Sequence, residues 1–246
     1  MHDVKLRSIG VANEYAVQAL SRGEYETATK IFRFALTRVI AHYALKAKNG
    51  SGHECSCCEL ENLKILRIHR VSVIEDESRF AEKEALSCSI GHAPLQFYNR
   101  AIILDGNDEV MTSSRRALNR TKMVLLLNIA LAQYLKGSST SEDSMKILRV
   151  YQLASEIYAN RDKADSSPWW HLECDSLLML AIFNNMGFIY SQFSHQIQVD
   201  HCLSCMEWLL SAVISMKEDG TNLREDFPFF VVNSVILKGT FSAPAA

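Results

Sequence analysis

The stretch NEYAVQALSRGEYETATKIFRFAL, Asn13 to Leu36, decides the fold. Ala12, Ala16, Ala19 and Leu20 recur three and four apart, so they share one face of a first helix. Arg22-Gly23-Glu24 is a tight turn, in which Gly23 supplies the left-handed conformation that closes a helix. A second helix runs from Glu24 to about Lys46, with Ala28, Phe32, Ala35, Leu36, Val39 and Tyr43 as its apolar stripe. Small residues (Ala16, Ala28, Ala35) alternate with bulky ones (Tyr15, Tyr25, Phe32), which lets the two helices approach closely and fills the space left over. The pattern predicts a helical hairpin.

Weaker versions recur downstream. A second hairpin starts near Ser114, with Met123, Leu126, Leu127, Ala130, Leu131 and Tyr134 on one side and Gly137 ending the helix. After the polar turn SSTSEDS, its partner runs from about Glu142 to Tyr158 on Ile147, Leu148, Tyr151 and Ala154. Ser139, Thr140 and Ser141 are the candidate caps, and Ser139 with Glu142 has capping-box spacing. A linker, Asn160 to Pro168, leads to a third hairpin that pairs Trp169–Ser194 with Val199–Lys217. Trp169-Trp170 directly after Pro168 reads as a helix start packed on the preceding pair.

Between the first two hairpins the period changes. Residues 49–108 read as an insertion: a polar run NGSGHECSCCE, then LKILRIHRVSVIE with partial strand alternation, then LQFYNRAIIL, an aromatic and β-branched strand candidate that ends at Asp105-Gly106-Asn107. Near the end, FFVVNSVIL at Phe229–Leu237 has the same make-up as FYNRAIIL at Phe97–Leu104: an aromatic start, one Asn, then β-branched residues. Two arrangements satisfy this. The two segments pair as a short β-ribbon, since each alone leaves a row of unmet backbone groups. Alternatively, Phe229–Leu237 is a final helix that covers the last apolar face of the array. Residues 241–246 read as a disordered tail.

Ala12 to Leu36 resembles a tetratricopeptide repeat, with Ala16 inside the first helix, Gly23-Glu24-Tyr25 at its close, and Ala28, Phe32 and Ala35-Leu36 on the second. The usual Pro after the second helix is missing, because Val39-Ile40-Ala41-His42 continues it. The second hairpin keeps Asn128-Ile129-Ala130, Gly137, Tyr151 and Ala154 with a longer turn. The third keeps Asn185-Met186-Gly187 and Tyr190, with His195-Gln196-Ile197 in a turn read as longer still. The resemblance covers about half the chain with uneven spacing. It implies a mainly α fold, a right-handed solenoid-like array of three antiparallel helix hairpins forming a single domain over residues 8–240.

The resemblance further implies a concave groove on the first helices that receives an extended peptide or a partner helix. Asn13, Gln18, Asn128, Gln133, Asn184 and Gln192 are its candidate lining. The carboxylate-clamp branch of the family uses Lys, Arg and Asn here; the basic partners are not cleanly placed, so a chaperone-tail binder is not implied. Each Asn also has a plainer reading, as a bridge between adjacent helices or to buried water.

Composition bounds the rest. The chain has 246 residues, 48% hydrophobic, with 4 Pro and 10 Gly, enough to bury a sizeable core. A net charge of -2 and a pI near 6.4 give no reason to expect nucleic acid, whose binders concentrate basic charge on one face. MHDVKLRSIGV lacks the apolar core of a secretory signal. The most apolar run, Ser176 to Tyr190, is interrupted at Asn184-Asn185 and is short of the roughly 20 residues that span a bilayer. Seven Cys without secretory context point to a reducing, intracellular setting, cytoplasmic by default and with a nuclear one left open.

Two Cys/His clusters have ligand types suited to zinc. In His53, Cys55, Cys57 and Cys58 the spacing lacks the two-residue gap of a paired-Cys turn, and only Cys88 and His92 lie near in sequence. His201 and Cys205 share a helical face, with Cys202 beside them, but core packing is the stronger reading. There is no dinucleotide fingerprint, phosphate loop or nucleophile elbow. His171 and Glu173 diverge on a helix, and Glu142-Asp143 offset a helix dipole. No enzyme, cofactor or metal is expected. The sequence thus reads as a protein-interaction scaffold with a peptide or protein ligand and no membrane partner. The alternative is a self-assembling protein whose segments 97–104 and 229–237 mediate oligomerisation.

Overall fold

A computed structural model describes residues 8–48, 66–70, 96–104, 115–137, 140–160, 170–215 and 226–241. The architecture is mainly α, with successive helices packed on one another in the manner of a helical repeat. These residues form two compact units, one of residues 8–48, 66–70, 99–104, 115–137 and 140–160, the other of residues 96–98, 170–215 and 226–241.

The first unit opens with α1 (Ile9–Ser21), capped by Ser8, whose hydroxyl accepts from the Val11 N–H at 3.1 Å and so meets one of the orphan donors of the first turn. Gly23 has φ 77, and the Glu24 N–H reaches back to the Ala19 carbonyl at 2.9 Å. This closes the turn as expected, and α2 (Tyr25–Lys48) returns along α1. Ala12, Ala16, Ala19, Leu20, Ala28, Phe32, Ala35 and Val39 are all buried between them. Tyr15 differs from expectation: it is exposed, and α1 buries Ile9, Val17 and Leu20 beside its alanines.

Next comes α3 (Arg115–Leu135), which packs on α1, α2 and α4 (Ser141–Ala159). Contacts on every side explain why Met123 to Ala132 is buried without a break rather than on one stripe. The cap of α4 is Thr140, one of the three candidates, and not Ser139 with its capping-box spacing. Its hydroxyl accepts from the Asp143 N–H at 3.1 Å and donates to the Asp143 carboxylate at 2.8 Å.

Two strands, β1 (Leu66–Arg70) and β2 (Arg100–Leu104), form an antiparallel ladder with Leu66 opposite Leu104 and Arg70 opposite Arg100. Of the strand expected at Phe97–Leu104, Arg100–Leu104 is present, but its partner is not Phe229–Leu237. That segment is helical.

In the second unit α5 (Trp170–Gln192) packs on α6 (Gln196–Ser215), and α7 (Phe227–Phe241) packs on both. Of the two arrangements open for Phe229–Leu237, the final helix is the one present, and the ribbon with 97–104 is not formed. Aromatic and β-branched composition favours a strand only when a pleated surface is available to pack on. Here Phe227, Phe230, Asn233, Ser234 and Leu237 fall three and four apart and are buried, so tertiary packing decides for helix.

The third turn is also shorter than expected. Phe193-Ser194-His195 repeats the geometry of Arg22-Gly23-Glu24: the His195 N–H bonds the Tyr190 carbonyl at 3.1 Å, and Ser194 takes the left-handed conformation at φ 55. A serine hides this turn from a search for glycine. Gly187 lies at the α5–α6 contact, where an added Cβ would meet the Cys202 Cβ at 3.4 Å and Leu237 Cδ1 at 3.6 Å.

Candidate functional site

An Asn stands within each of α1, α3, α5 and α7, and all of them are buried. A polar amide in such a position must find partners or be strongly destabilising. In every case the partner is the main chain of one extended segment, Gln96–Leu104.

In the first unit, Asn128 on α3 clamps Ile102 from both sides of its peptide group. The Ile102 N–H donates to Asn128 Oδ1 at 3.0 Å, and Asn128 Nδ2 donates to the Ile102 carbonyl at 2.8 Å. Asn13 on α1 accepts the Leu104 N–H at 2.8 Å. Ile102 and Leu104 are alternate residues, so their backbone groups leave the same edge of β2, while the residues between them turn to β1. Asn side chains thus bond an edge that no described strand pairs.

The second unit repeats the arrangement. Asn185 on α5 accepts the Tyr98 N–H at 2.8 Å and donates to the Tyr98 carbonyl at 3.1 Å. Asn233 on α7 accepts the Gln96 N–H at 3.3 Å and donates to the Gln96 carbonyl at 2.7 Å. Asn184 donates to the same carbonyl at 3.1 Å and accepts from Asn233 Nδ2 at 2.7 Å.

Position on the helix sets the kind of contact. Asn128 stands nine residues before the left-handed Gly137, as Asn185 does before Ser194, and both make the two-sided clamp. Asn13 and Asn184 stand ten before Gly23 and Ser194, and each makes a single bond to the segment. The tenth position reaches the segment from one side only. As a result Asn13 Nδ2 is buried with no hydrogen-bond partner among the described residues.

Side chains of the segment fill the space beside the clamps. Tyr98 is buried against Phe230 and Phe229, with ring centroids 4.9 and 5.5 Å apart, and its hydroxyl donates to Asp226 Oδ2 at 3.3 Å. Asp226 is itself buried. Phe97 meets the edge of Phe188 at 5.4 Å, and Ala101, Ile102 and Leu104 are buried in the first unit.

Of the residues expected to line a groove, Asn13, Asn128 and Asn184 are therefore held by the chain's own backbone. Gln18 and Gln192 are exposed, and Gln133 is half-buried with its Oε1 unpartnered among the described residues. Asn185 and Asn233 were not among the expected set. Asn185 carries a signal, since it stands with Asn184 inside an apolar helix; Asn233 lies in a segment open to both a strand and a helix and gives none. Cys202 is buried, which pushes its thiol from 9.0 up to about 12, and Cys205 Sγ lies 3.8 Å from His201 Nε2. No group of three or more metal-binding side chains occurs among the described residues. The clusters at His53–Cys58 and at Cys88 and His92, and the side chains of Trp169, Trp170, His171 and Glu173, lie outside the described residues.

No described helix is long and apolar enough to cross a membrane. Comparison with family models, with curated proteins and with solved structures finds no match to this chain.

Proposed function

We propose that the protein is a non-catalytic protein-interaction module of the helical-repeat kind, whose Asn-bearing helices recognise an extended peptide. The supporting observation is the two-sided clamp of Asn128 on Ile102 and of Asn185 on Tyr98. An amide that takes both the N–H and the C=O of one residue reads main chain, so it accepts any sequence in extended form. Each such bond contributes about 0.5–1.5 kcal/mol net.

Affinity purification of the intact protein from its native cell, with crosslinking and mass spectrometry, tests this reading. The outcome expected is one dominant partner whose crosslinks fall on α1, α3 or α5, and whose recovery drops when Gln18 and Gln192, both exposed, are changed to Ala. Recovery of this chain alone, equally with the variant, overturns it.

Self-assembly is the second reading, and a different surface favours it. Val231, Val232 and Val235 are exposed on one side of α7 at 41, 56 and 65%. With 229–237 helical, any association through this segment is helix packing and not strand pairing. Sedimentation at rising concentration decides: association abolished by Val235→Asp supports it, and a monomer throughout removes it.

A further inference from the structure

Two cysteines stand on α6, and the fold separates them. Cys202 is buried in the core, whereas Cys205, three residues on, is half-buried. His201 lies four residues before Cys205, one helical turn away, and is exposed. Its Nε2 sits 3.8 Å from Cys205 Sγ, while its ring meets Phe183 edge-on with centroids 6.4 Å apart. A thiolate and an imidazole are ligand types that zinc takes. With bonds of about 2.3 Å to sulphur and about 2.0 Å to nitrogen, a tetrahedral ion holds those two atoms about 3.5 Å apart. A small side-chain adjustment therefore brings the pair to chelating geometry on an unchanged helix. Two ligands do not close a tetrahedral shell. No third metal-binding side chain joins them among the described residues, and the adjacent acid, Asp200, accepts from Gln196 Nε2 at 2.8 Å.

Apolar side chains flank the pair on the same face of α6. Ile197 is 80% exposed, one turn before His201, and Trp208 is 60% exposed, one turn after Cys205. They stand six and five residues to either side of position 203, the midpoint of the pair. A two-fold axis through that midpoint, with the helices antiparallel, sets Ile197 of one copy opposite Trp208 of the other and brings the two His–Cys pairs together. We propose that His201 and Cys205 form half of a zinc site, which a second copy of this chain completes through the same two residues, giving two cysteine and two histidine ligands. The ion displaces the thiol proton of each Cys205 to solvent. None of the Asn clamps takes part, and the valine face of α7 is a different surface.

The test titrates cobalt(II), which takes the place of zinc and absorbs strongly when bound to thiolate, into the full chain. His201→Ala and Cys205→Ser alter an exposed and a half-buried position of one helix, and circular dichroism establishes that both variants keep their helical content. The expected result is a sulphur-to-cobalt absorption, lost in both variants, that saturates at one ion for every two chains. Sedimentation should show a dimer that forms with the metal, returns to monomer on adding a chelator, and is absent in both variants. Val235→Asp should keep the absorption and the dimer, which separates this contact from association through α7. An absorption that persists undiminished in His201→Ala and Cys205→Ser would place the metal on other cysteines and overturn the proposal, as would the absence of any sulphur-to-cobalt absorption. An absorption lost in both variants but saturating at one ion per chain, with the protein monomeric, would leave the pair with a metal open to solvent and remove the second copy.

Discussion

Asn185 holds both backbone polar groups of Tyr98, accepting its N–H at 2.8 Å and donating to its carbonyl at 3.1 Å, although 87 residues separate the two in sequence. One side chain thereby bonds both backbone polar groups of a buried extended residue that no described strand pairs. Changing Asn185 to Ala removes an acceptor and a donor at once from a buried site. Unfolding in urea should show a loss of about 3 kcal/mol, the scale for two buried polar groups deprived of good partners. A loss under about 0.5 kcal/mol, the range of ordinary surface changes, would show that the clamp contributes little.

Tyr98→Phe probes a single contact. The hydroxyl bond to Asp226 is long, at 3.3 Å, so the low end of the range for bonds to a carboxylate applies, about 1.5 kcal/mol. The ring stays in place, and near-UV circular dichroism should keep its aromatic signature. Asp226→Asn should cost less than Asp226→Ala, since the amide still offers an acceptor to the phenol.

The paired turns give opposite expectations. Gly23→Ala puts a Cβ at φ 77 and should lower stability by about 1–2 kcal/mol. Ser194→Gly relieves a side chain already at φ 55, and a gain of about 0.5–1 kcal/mol is expected after the entropy of glycine is counted. Thermal melts of both variants check the equivalence of the two turns; shifts of the same sign would refute it.

Gly187 separates helix propensity from packing. An added Cβ meets its neighbours at 3.4 and 3.6 Å, ordinary contact distances, so Gly187→Ala should be neutral or stabilise by up to about 1 kcal/mol. Gly187→Leu has no room between Cys202 and Leu237 and should lower stability by about 1–3 kcal/mol. Equal melting temperatures for the two variants would show that the contact is loose.

Cys202 should resist thiol reagents in the folded chain. Burial holds its thiol near 12, against 9.0 in the open, so at pH 8 almost no thiolate forms and little surface is offered. Peptide mapping after iodoacetamide should find Cys202 unmodified until denaturant is added. The linkage has a definite sign. The raised thiol contributes full stability below about pH 9 and loses it as pH climbs towards 12, because the unfolded chain releases the proton first. Cys202→Ala should flatten that part of the stability profile.

Much of the architecture was legible in the chain itself. Ala12, Ala16, Ala19 and Ala28 with Phe32 and Ala35 announce two helices that nest, because only helical periodicity puts them on one face. Gly23 and Gly137 mark where helices close, since few other residues take a positive φ without strain. The strand at Arg100–Leu104 was also readable from its β-branched run and the turn signal after it. These are local properties, fixed by sterics within a few residues.

Tertiary structure decided what local chemistry leaves open. FFVVNSVIL and FYNRAIIL are nearly interchangeable in composition, yet one is buried helix and the other extended chain, because the first has helices to pack on and the second has a row of amides to bond. Ser194 closes a turn as Gly23 does, held there by the Tyr190 carbonyl. Asn13, Asn128 and Asn184 could be singled out in the sequence as polar residues in apolar helices, and what they hold could not. A buried amide must be bonded, but which groups meet it depends on chain segments tens of residues away, and only the folded chain brings Gln96–Leu104 within hydrogen-bond reach.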